Sequence, residues 1–269
     1  MIKKIIGVVF TIGVIIALIH IVHMLTLDRI VQYKEVVFYS ENWPRELDGY
    51  RIGFMSDTHR LHENQLQDIV TELNARNLDL LLLGGDYGLR QQYLQDTLAA
   101  FAQIETTDGI FGVEGNHDIY FPLNDIMSKV GIGFLDNTGL HIRDGFFLAG
   151  AADFWFRTPC IATATADAKY DNFVLLLTHN PDVTMQQDTT GVDLILAGHT
   201  HGGQITFFGW AFYLYRGSIT SYGLRFAYGW ARSRDDVPVY VTRGIGRYSV
   251  PRVFARPQAI VFTIRAKHS

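Results

Sequence analysis

Cysteine is almost missing from this sequence: Cys160 is the only one in 269 residues. No intrachain disulfide and no thiolate metal cluster can form. Cys160 sits in a small polar stretch from Thr158 to Thr163 with no histidine nearby in sequence, so nothing local marks it as more than an ordinary thiol. A basic excess is missing too. Lys and Arg number 23 against 27 Asp and Glu, a net charge of -4, whereas proteins that neutralise nucleic-acid phosphates show a strong positive balance. Nucleic acid is therefore not an expected partner, and any phosphate must be met by a local constellation. Internal repeats, low-complexity tracts and a convincing interior linker are also absent. Hydrophobic residues make up 48% of the chain, enough for a substantial core, which excludes a disordered or fibrous protein.

What is present begins with a long apolar run. Ile5 to Leu27 is a 23-residue stretch without a charge, preceded by Lys3 and Lys4 and followed by Asp28 and Arg29. At about 1.5 Å per residue it can cross a hydrocarbon core of roughly 30 Å. It is longer than the apolar region of a cleaved signal and lacks a small-residue cleavage site. The expectation is a single-pass membrane anchor, residues 1–33, with the bilayer as a partner and residues 34–269 as the folded domain. Lys3 and Lys4 favour a cytoplasmic N-terminus, but Arg29 and Lys34 lie close to the other end, so the side faced by the domain stays open. His20 and His23 lie one helical turn apart near the end of the span, where polar tips reach the interface.

Beyond the anchor, Val36–Tyr39 reads as a short strand, and Asn42, Pro44 and Gly49 mark a loop. Apolar runs then alternate with helix-period segments: Arg51–Met55, a helix over about 64–77, Leu78–Leu83, a helix over about 91–103, and Ile110–Val113. This predicts a βαβαβ unit with parallel strands. Strand-like runs follow at Phe146–Ala149, Phe173–Leu177, Asp193–Ala197, Val237–Thr242 and Ala259–Ile264, and one domain with two sheets accounts for them.

Each of five apolar runs ends in polar residues suited to chemistry: Ser56-Asp57-Thr58-His59, Gly84-Gly85-Asp86, Gly115-Asn116-His117-Asp118, Thr178-His179-Asn180, and Gly198-His199-Thr200-His201-Gly202-Gly203. Ligands of open α/β sheets gather beyond the carboxyl ends of the strands, so these clusters point to one rim. A single His or Asp after a strand is usually a loop residue; five in succession are not. Carboxylate, imidazole and amide oxygens suit Mn, Fe, Zn or Co, and the lack of thiolates disfavours a purely structural zinc site.

The order D-x-H, G-D, G-N-H-D, H, G-H-x-H resembles the calcineurin-like metallophosphoesterases, over about Tyr50 to Ile264. The resemblance implies an α/β fold, a two-sheet αββα sandwich, and two divalent transition metal ions, Mn first among the choices. Asp57, His59, Asp86 and His201 would hold one ion and Asp86, Asn116, His179 and His199 the other, with Asp86 bridging. It further implies hydrolysis by a metal-activated water, with His117 facing the phosphate and Asp118 as its orienting partner. Leu89 stands where protein Ser/Thr phosphatases of the superfamily carry a second Asp, which argues against a protein substrate. G-G-D-Y, T-H-N-P-D, G-H-T-H-G-G-Q, a late R-G-x-G (Arg243–Gly246) and Arg256-Pro257 are similar to a small bacterial membrane-associated branch. That branch comprises YaeI/YkuE-like phosphodiesterases and enzymes splitting UDP-2,3-diacylglucosamine. Arg60 after D-x-H and Gln258 after Arg256-Pro257 depart from its usual pattern and bear on substrate.

Ten aromatics and four arginines lie between Phe207 and Arg234. Following the last motif directly, they are expected to border the site, either meeting a lipid headgroup at the membrane interface or packing as a hairpin into the second sheet. Arg60, Trp210 and Arg216 are accordingly candidate substrate-binding residues. The substrate expected is a phosphate ester or lipid-linked nucleotide such as UDP-2,3-diacylglucosamine. The alternatives are a general small-molecule or cyclic-nucleotide phosphodiesterase and an inactive metal-binding scaffold, the last opposed by the complete ligand set. Oligomeric state is left open.

Overall fold

The computed structural model describes residues 1–212 and 219–267. The uncharged N-terminal run forms helix α1 (Ile2–Leu25), in which no residue is buried. Apolar on every side, with a mean hydropathy of 2.9 in its most apolar window, it is long and apolar enough to cross a membrane.

Strand β1 (Gln32–Ser40) follows. It is longer than the Val36–Tyr39 run suggested, and the expected boundary at residue 33 falls inside it. Its alternating, half-exposed residues carry a weak strand signal; pairing with the C-terminal strand over nine positions, Gln32↔Gln258 to Ser40↔Ala266, supplies what that signal lacks.

The next elements are β2 (Tyr50–Met55), α2 (Glu63–Asn74), β3 (Leu80–Leu83), α3 (Gln91–Phe101), β4 (Ile110–Gly112), α4 (Leu123–Lys129) and β5 (Gly133–Phe134). Parallel pairs β2·β3, β3·β4 and β4·β5 give the expected βαβ core. The second half supplies β6 (Thr138–Arg143), β7 (Phe146–Gly150), α5 (Ile161–Ala164), β8 (Phe173–Thr178), α6 (Val183–Gln186), β9 (Leu194–Ala197), β10 (Gly229–Arg232), β11 (Pro238–Val241) and β12 (Gln258–Ala266). Two six-stranded sheets result, in the orders β1-β12-β2-β3-β4-β5 and β10-β11-β9-β8-β7-β6.

The inner strands, such as β3, β7, β8 and β9, are buried on both faces, so their sequences run as continuous apolar stretches. In β3, Leu80 and Leu82 face the second sheet, meeting Leu148, Leu175 and Leu196. Leu81 and Leu83 face outward, packing with Leu66, Ile69 and Leu73 of α2 and Leu94, Leu98 and Phe101 of α3. The outer face of the second sheet packs Leu176 and Ile195 against Ile161 of α5 and Val183 of α6. The layers are therefore α, β, β, α, as expected.

The C-terminal end of α1 touches the domain. His23 Nδ1 donates to Asp28 at 2.7 Å, and the buried Asp28 carboxylate also accepts the Phe254 and Ala255 amides at 2.8 and 3.1 Å. His23 stacks on Phe254 at 3.9 Å between ring centroids, and His20 packs against Phe207 and Phe208. The aromatic stretch therefore divides. Phe207 and Phe208 meet α1, while Phe226 is buried under the second sheet and Trp230 of β10 packs on Tyr240 and Phe262.

Candidate metal centre

The five polar clusters leave the C-terminal ends of β2, β3, β4, β8 and β9 and meet where the two sheets share a rim. Their backbones interlock: the His199 amide donates to both Asp57 carboxylate oxygens at 3.0 and 3.1 Å, and the Ile245 amide to Ser56 O at 3.0 Å. Five of the seven expected ligands adopt left-handed backbone conformations: Asp57 (φ 57°), His59 (44°), Asp86 (59°), His199 (71°) and His201 (54°). Such a residue costs roughly 1–3 kcal/mol, while each large apolar side chain fully buried on the strands below contributes about 1.5–3 kcal/mol. The sandwich can hold the turns, and the turns aim the side chains inward.

Those side chains converge. His59 and His201 stack with their Nε2 atoms 2.8 Å apart, and His201 Nε2 lies 3.3 Å from Asp57 Oδ1. Asp86 Oδ2 stands between the imidazoles, 3.7 Å from His59 Nε2 and 3.4 Å from His179 Nε2. His179 Nε2 in turn lies 3.1 Å from Asn116 Oδ1 and 3.2 Å from His199 Nδ1. Two sets, Asp57/His59/His201 and Asp57/Asp86/His179, place one ligand atom of each residue within 4.8 Å of the others. Backbone carbonyls orient two of the rings: Gly84 O lies 2.7 Å from His179 Nδ1 and Ile219 O lies 3.0 Å from His199 Nε2. With the proton on those nitrogens, the lone pairs on His179 Nε2 and His199 Nδ1 point into the centre. Lone pairs this close repel unless a proton or a cation lies between them, so the donor set fits divalent metal ions.

The electrostatics agree. Burial pushes the His59 imidazolium down to about 3, and burial together with His179 does the same for His199. Burial also opposes charge on His179, but the Asp86 carboxylate outweighs it and raises that group to about 10. Burial works against charge on Asp57 and Asp86 as well. His201 holds the first carboxyl below its usual range, and His179 the second.

His117 is half-buried at the edge of the centre. Its amide donates to Asp86 Oδ1 at 2.9 Å, and its ring stacks on Tyr248 at 4.8 Å. Asp118 does not orient it. The buried Asp118 carboxylate accepts the amides of Asp86 at 2.6 Å, Tyr87 at 2.9 Å and Gly115 at 2.9 Å. Three convergent N–H groups capture it and turn it away from His117, so it clamps the Asp86 turn. Burial, then the Asp86 charge, push its own carboxyl up.

A pocket of about 390 Å³ opens over the centre, with Trp155, Ile205, Ile219, Tyr248 and Val250 among its walls. Arg60 and Trp210, expected to bind substrate, do not line it. Arg60 turns toward Tyr93, its guanidinium 5.6 Å from that ring, and Trp210 stands exposed beside Phe212. Arg216 lies outside the described residues. Trp155 and Tyr248 line the pocket from outside the five motifs. Trp155 meets the His199 ring edge-on at 4.5 Å, on a turn where Asp153 accepts the Trp155 and Phe156 amides. Tyr248 follows R-G-x-G by two residues, the one local signal that could have found it.

Comparison with known proteins places these residues in context. The chain is 25% identical over 261 residues to a metallophosphoesterase of Campylobacter jejuni, covering 90% of this chain and 66% of that protein, just under two thirds of its length. It is 28% identical to the metallophosphoesterase YkuE of Bacillus subtilis, over 88% of this chain and 87% of the relative. It is likewise 28% identical to the phosphodiesterase YaeI of Escherichia coli, over 80% and 82%. The profile of the calcineurin-like phosphoesterases matches residues 50–203, more than half the sequence and all the motifs from D-x-H to G-H-x-H, and the chain belongs to that family.

Proposed function

We propose that this chain is a membrane-anchored, metal-dependent hydrolase of phosphodiester or pyrophosphate bonds in amphiphilic, lipid-linked substrates, of which UDP-2,3-diacylglucosamine is the leading candidate. The observation that carries the reading is the convergence of Asp57, His59, Asp86, Asn116, His179, His199 and His201 beneath a pocket with aromatic and aliphatic walls. Asp57, His59, Asp86 and His201 would hold one ion, and Asp86, Asn116, His179 and His199 a second, with Asp86 shared. Two divalent cations, Mn foremost, with Fe, Zn or Co as alternatives, supply Lewis acidity that polarises the ester and activates water. The protein's own groups do the rest. Asp118 fixes the turn that presents Asp86, while Gly84 O and Ile219 O fix two imidazoles. His117, anchored through its amide to Asp86 with its ring stacked on Tyr248, is placed to hydrogen-bond a phosphate oxygen or protonate the leaving group.

Trp155, Ile205, Ile219, Tyr248 and Val250 offer a substrate's apolar portion a surface beside the chemistry. Helix α1 supports tethering, which raises the effective concentration of membrane substrates. The full chain in detergent, loaded with Mn, is expected to hydrolyse bis(p-nitrophenyl) phosphate, and Asp86→Asn is expected to abolish turnover. Incubation with membrane lipid extract and UDP-2,3-diacylglucosamine, followed by mass analysis, tests the substrate. UMP release is expected; cleavage of the soluble diester without it would leave the reaction and discard the lipid nucleotide.

A further inference from the structure

A second cavity, about 530 Å³, lies beside the catalytic pocket, enclosed by the end of α1, the loop after β2 and residues 245–252. The two spaces share no lining residue. The 245–252 segment is the wall between them: Arg247, Pro251 and Arg252 face this cavity, while Tyr248, Ser249 and Val250 face the metal centre.

Its charge is lopsided. Arg29, Arg60, Arg247 and Arg252 line it with a single carboxylate, Asp28. Asp28 is occupied by His23 and two backbone amides. Arg252 is buried and tied to the carbonyls of Gly246, His201 and Ala255. Arg29, Arg60 and Arg247 are exposed, and none forms an ion pair among the described residues. A chain of net charge -4 thus gathers three guanidinium groups without a carboxylate partner around one hollow, of which Arg60 also faces the Tyr93 ring. Carboxylate and phosphate are the anions that arginine binds through paired N–H donors.

Its position selects the source. Arg29 comes four residues after the last residue of α1, and Met24 of α1 itself lines the cavity. The helix ends at Leu25 and Arg29 closes the 3-10 turn Leu27–Arg29 that follows it, so a bilayer spanned by α1 would meet Arg29 in its headgroup layer, outside a hydrocarbon core of roughly 30 Å.

We propose that this cavity is a binding site for the phosphate of an anionic membrane lipid, separate from the catalytic pocket. The proposal rests on the reading of α1 as a membrane span. A headgroup held by Arg29, Arg60 and Arg247 would fix the domain against the bilayer with the catalytic pocket next to the lipid surface.

The full chain, reconstituted in phosphatidylcholine vesicles with or without phosphatidylglycerol, is extracted in mild detergent, and its co-purifying lipids are identified by mass spectrometry. Selective retention of phosphatidylglycerol is expected, falling about fivefold for each arginine removed in Arg29→Gln and Arg247→Gln. Arg29→Lys is expected to retain part of it. Unchanged metal content and melting temperature certify the variants as folded. Equal retention of both lipids by the unaltered chain, or phosphatidylglycerol retention by the double variant at the unaltered level, would overturn the proposal. Binding of inorganic phosphate without lipid selection would overturn the membrane source and assign the cavity to a soluble phosphate. Flotation with pure phosphatidylcholine vesicles tests the span alone: a chain that floats but selects no lipid defeats only the headgroup site, and one that does not float defeats both.

Discussion

Asp118 and His117 are neighbours in sequence with different work. In G-N-H-D an acid next to a histidine invites the reading of an oriented acid–base pair, because sequence adjacency looks like contact. The backbone separates them. Asp118 faces the amides of Asp86, Tyr87 and Gly115, and His117 faces Tyr248. Substituting each residue separates the roles. His117→Ala is expected to lower kcat by about 10²–10⁴-fold with bound metal, measured by elemental analysis, unchanged. Asp118→Asn sets an amide NH₂ among three N–H donors, so at least one donor loses its acceptor and the Asp86 turn loosens. Metal affinity is expected to fall about 10–100-fold, with partial recovery of activity at high metal concentration. An Asp118→Asn protein with full metal content and a shifted pH–rate profile would restore the orienting role.

At the scale of elements, β2, β3, β4, β8 and β9 are legible because each is a largely buried strand, written as an apolar run that stops at glycine or a polar residue. The metal ligands were legible for the same reason, since they sit where those runs stop. Trp155 and Tyr248 were not, because they reach the centre from loops whose course depends on contacts far away in sequence. Only part of β1 shows in the sequence, because an edge strand carries half a pattern. Glycine separates strand ends that merely turn from those that must also touch. A Cβ on Gly115 would collide with the Asp86 carboxylate, whereas one on Gly49 (φ 89°) would meet nothing within 4 Å. Gly49→Ala is expected to cost only the left-handed penalty of about 1–2 kcal/mol, lowering the melting temperature with metal retained. Gly115→Ala is expected to lose metal and turnover together. Equal metal content in the two variants would show that the close approach at Gly115 is dispensable.

For the whole molecule, the buried imidazoles and carboxylates make stability depend jointly on metal and pH. In the metal-free protein His59 and His199 titrate near 3 rather than 6.5. Between those values the unfolded chain binds protons that the folded chain refuses, so stability drops as pH falls through that window. Asp118, raised from 3.8 by burial and the Asp86 charge, acts in the opposite sense by taking up a proton in the folded state. Asp57 and Asp86, both lowered, add their loss below about pH 4. His179 behaves differently: raised to about 10, it stabilises the fold fully below 6.5 and loses that contribution as pH rises toward 10. The chelator-treated protein is therefore expected to melt highest near pH 6.5 and lower on both sides. Metal uptake at neutral pH must expel the His179 proton, while His59 and His199 are already neutral. Calorimetric titration with Mn at pH 7, in buffers of different ionisation enthalpy, is expected to show net proton release with His179 as its source, and affinity should rise with pH up to about 10. The loaded protein, its donors held by cations, is expected to melt higher than the metal-free form, most clearly above pH 7. Proton-neutral binding, or a metal-free melting temperature that climbs steadily from acid to alkaline pH, would show that Asp86 does not hold His179 as an imidazolium in the empty centre.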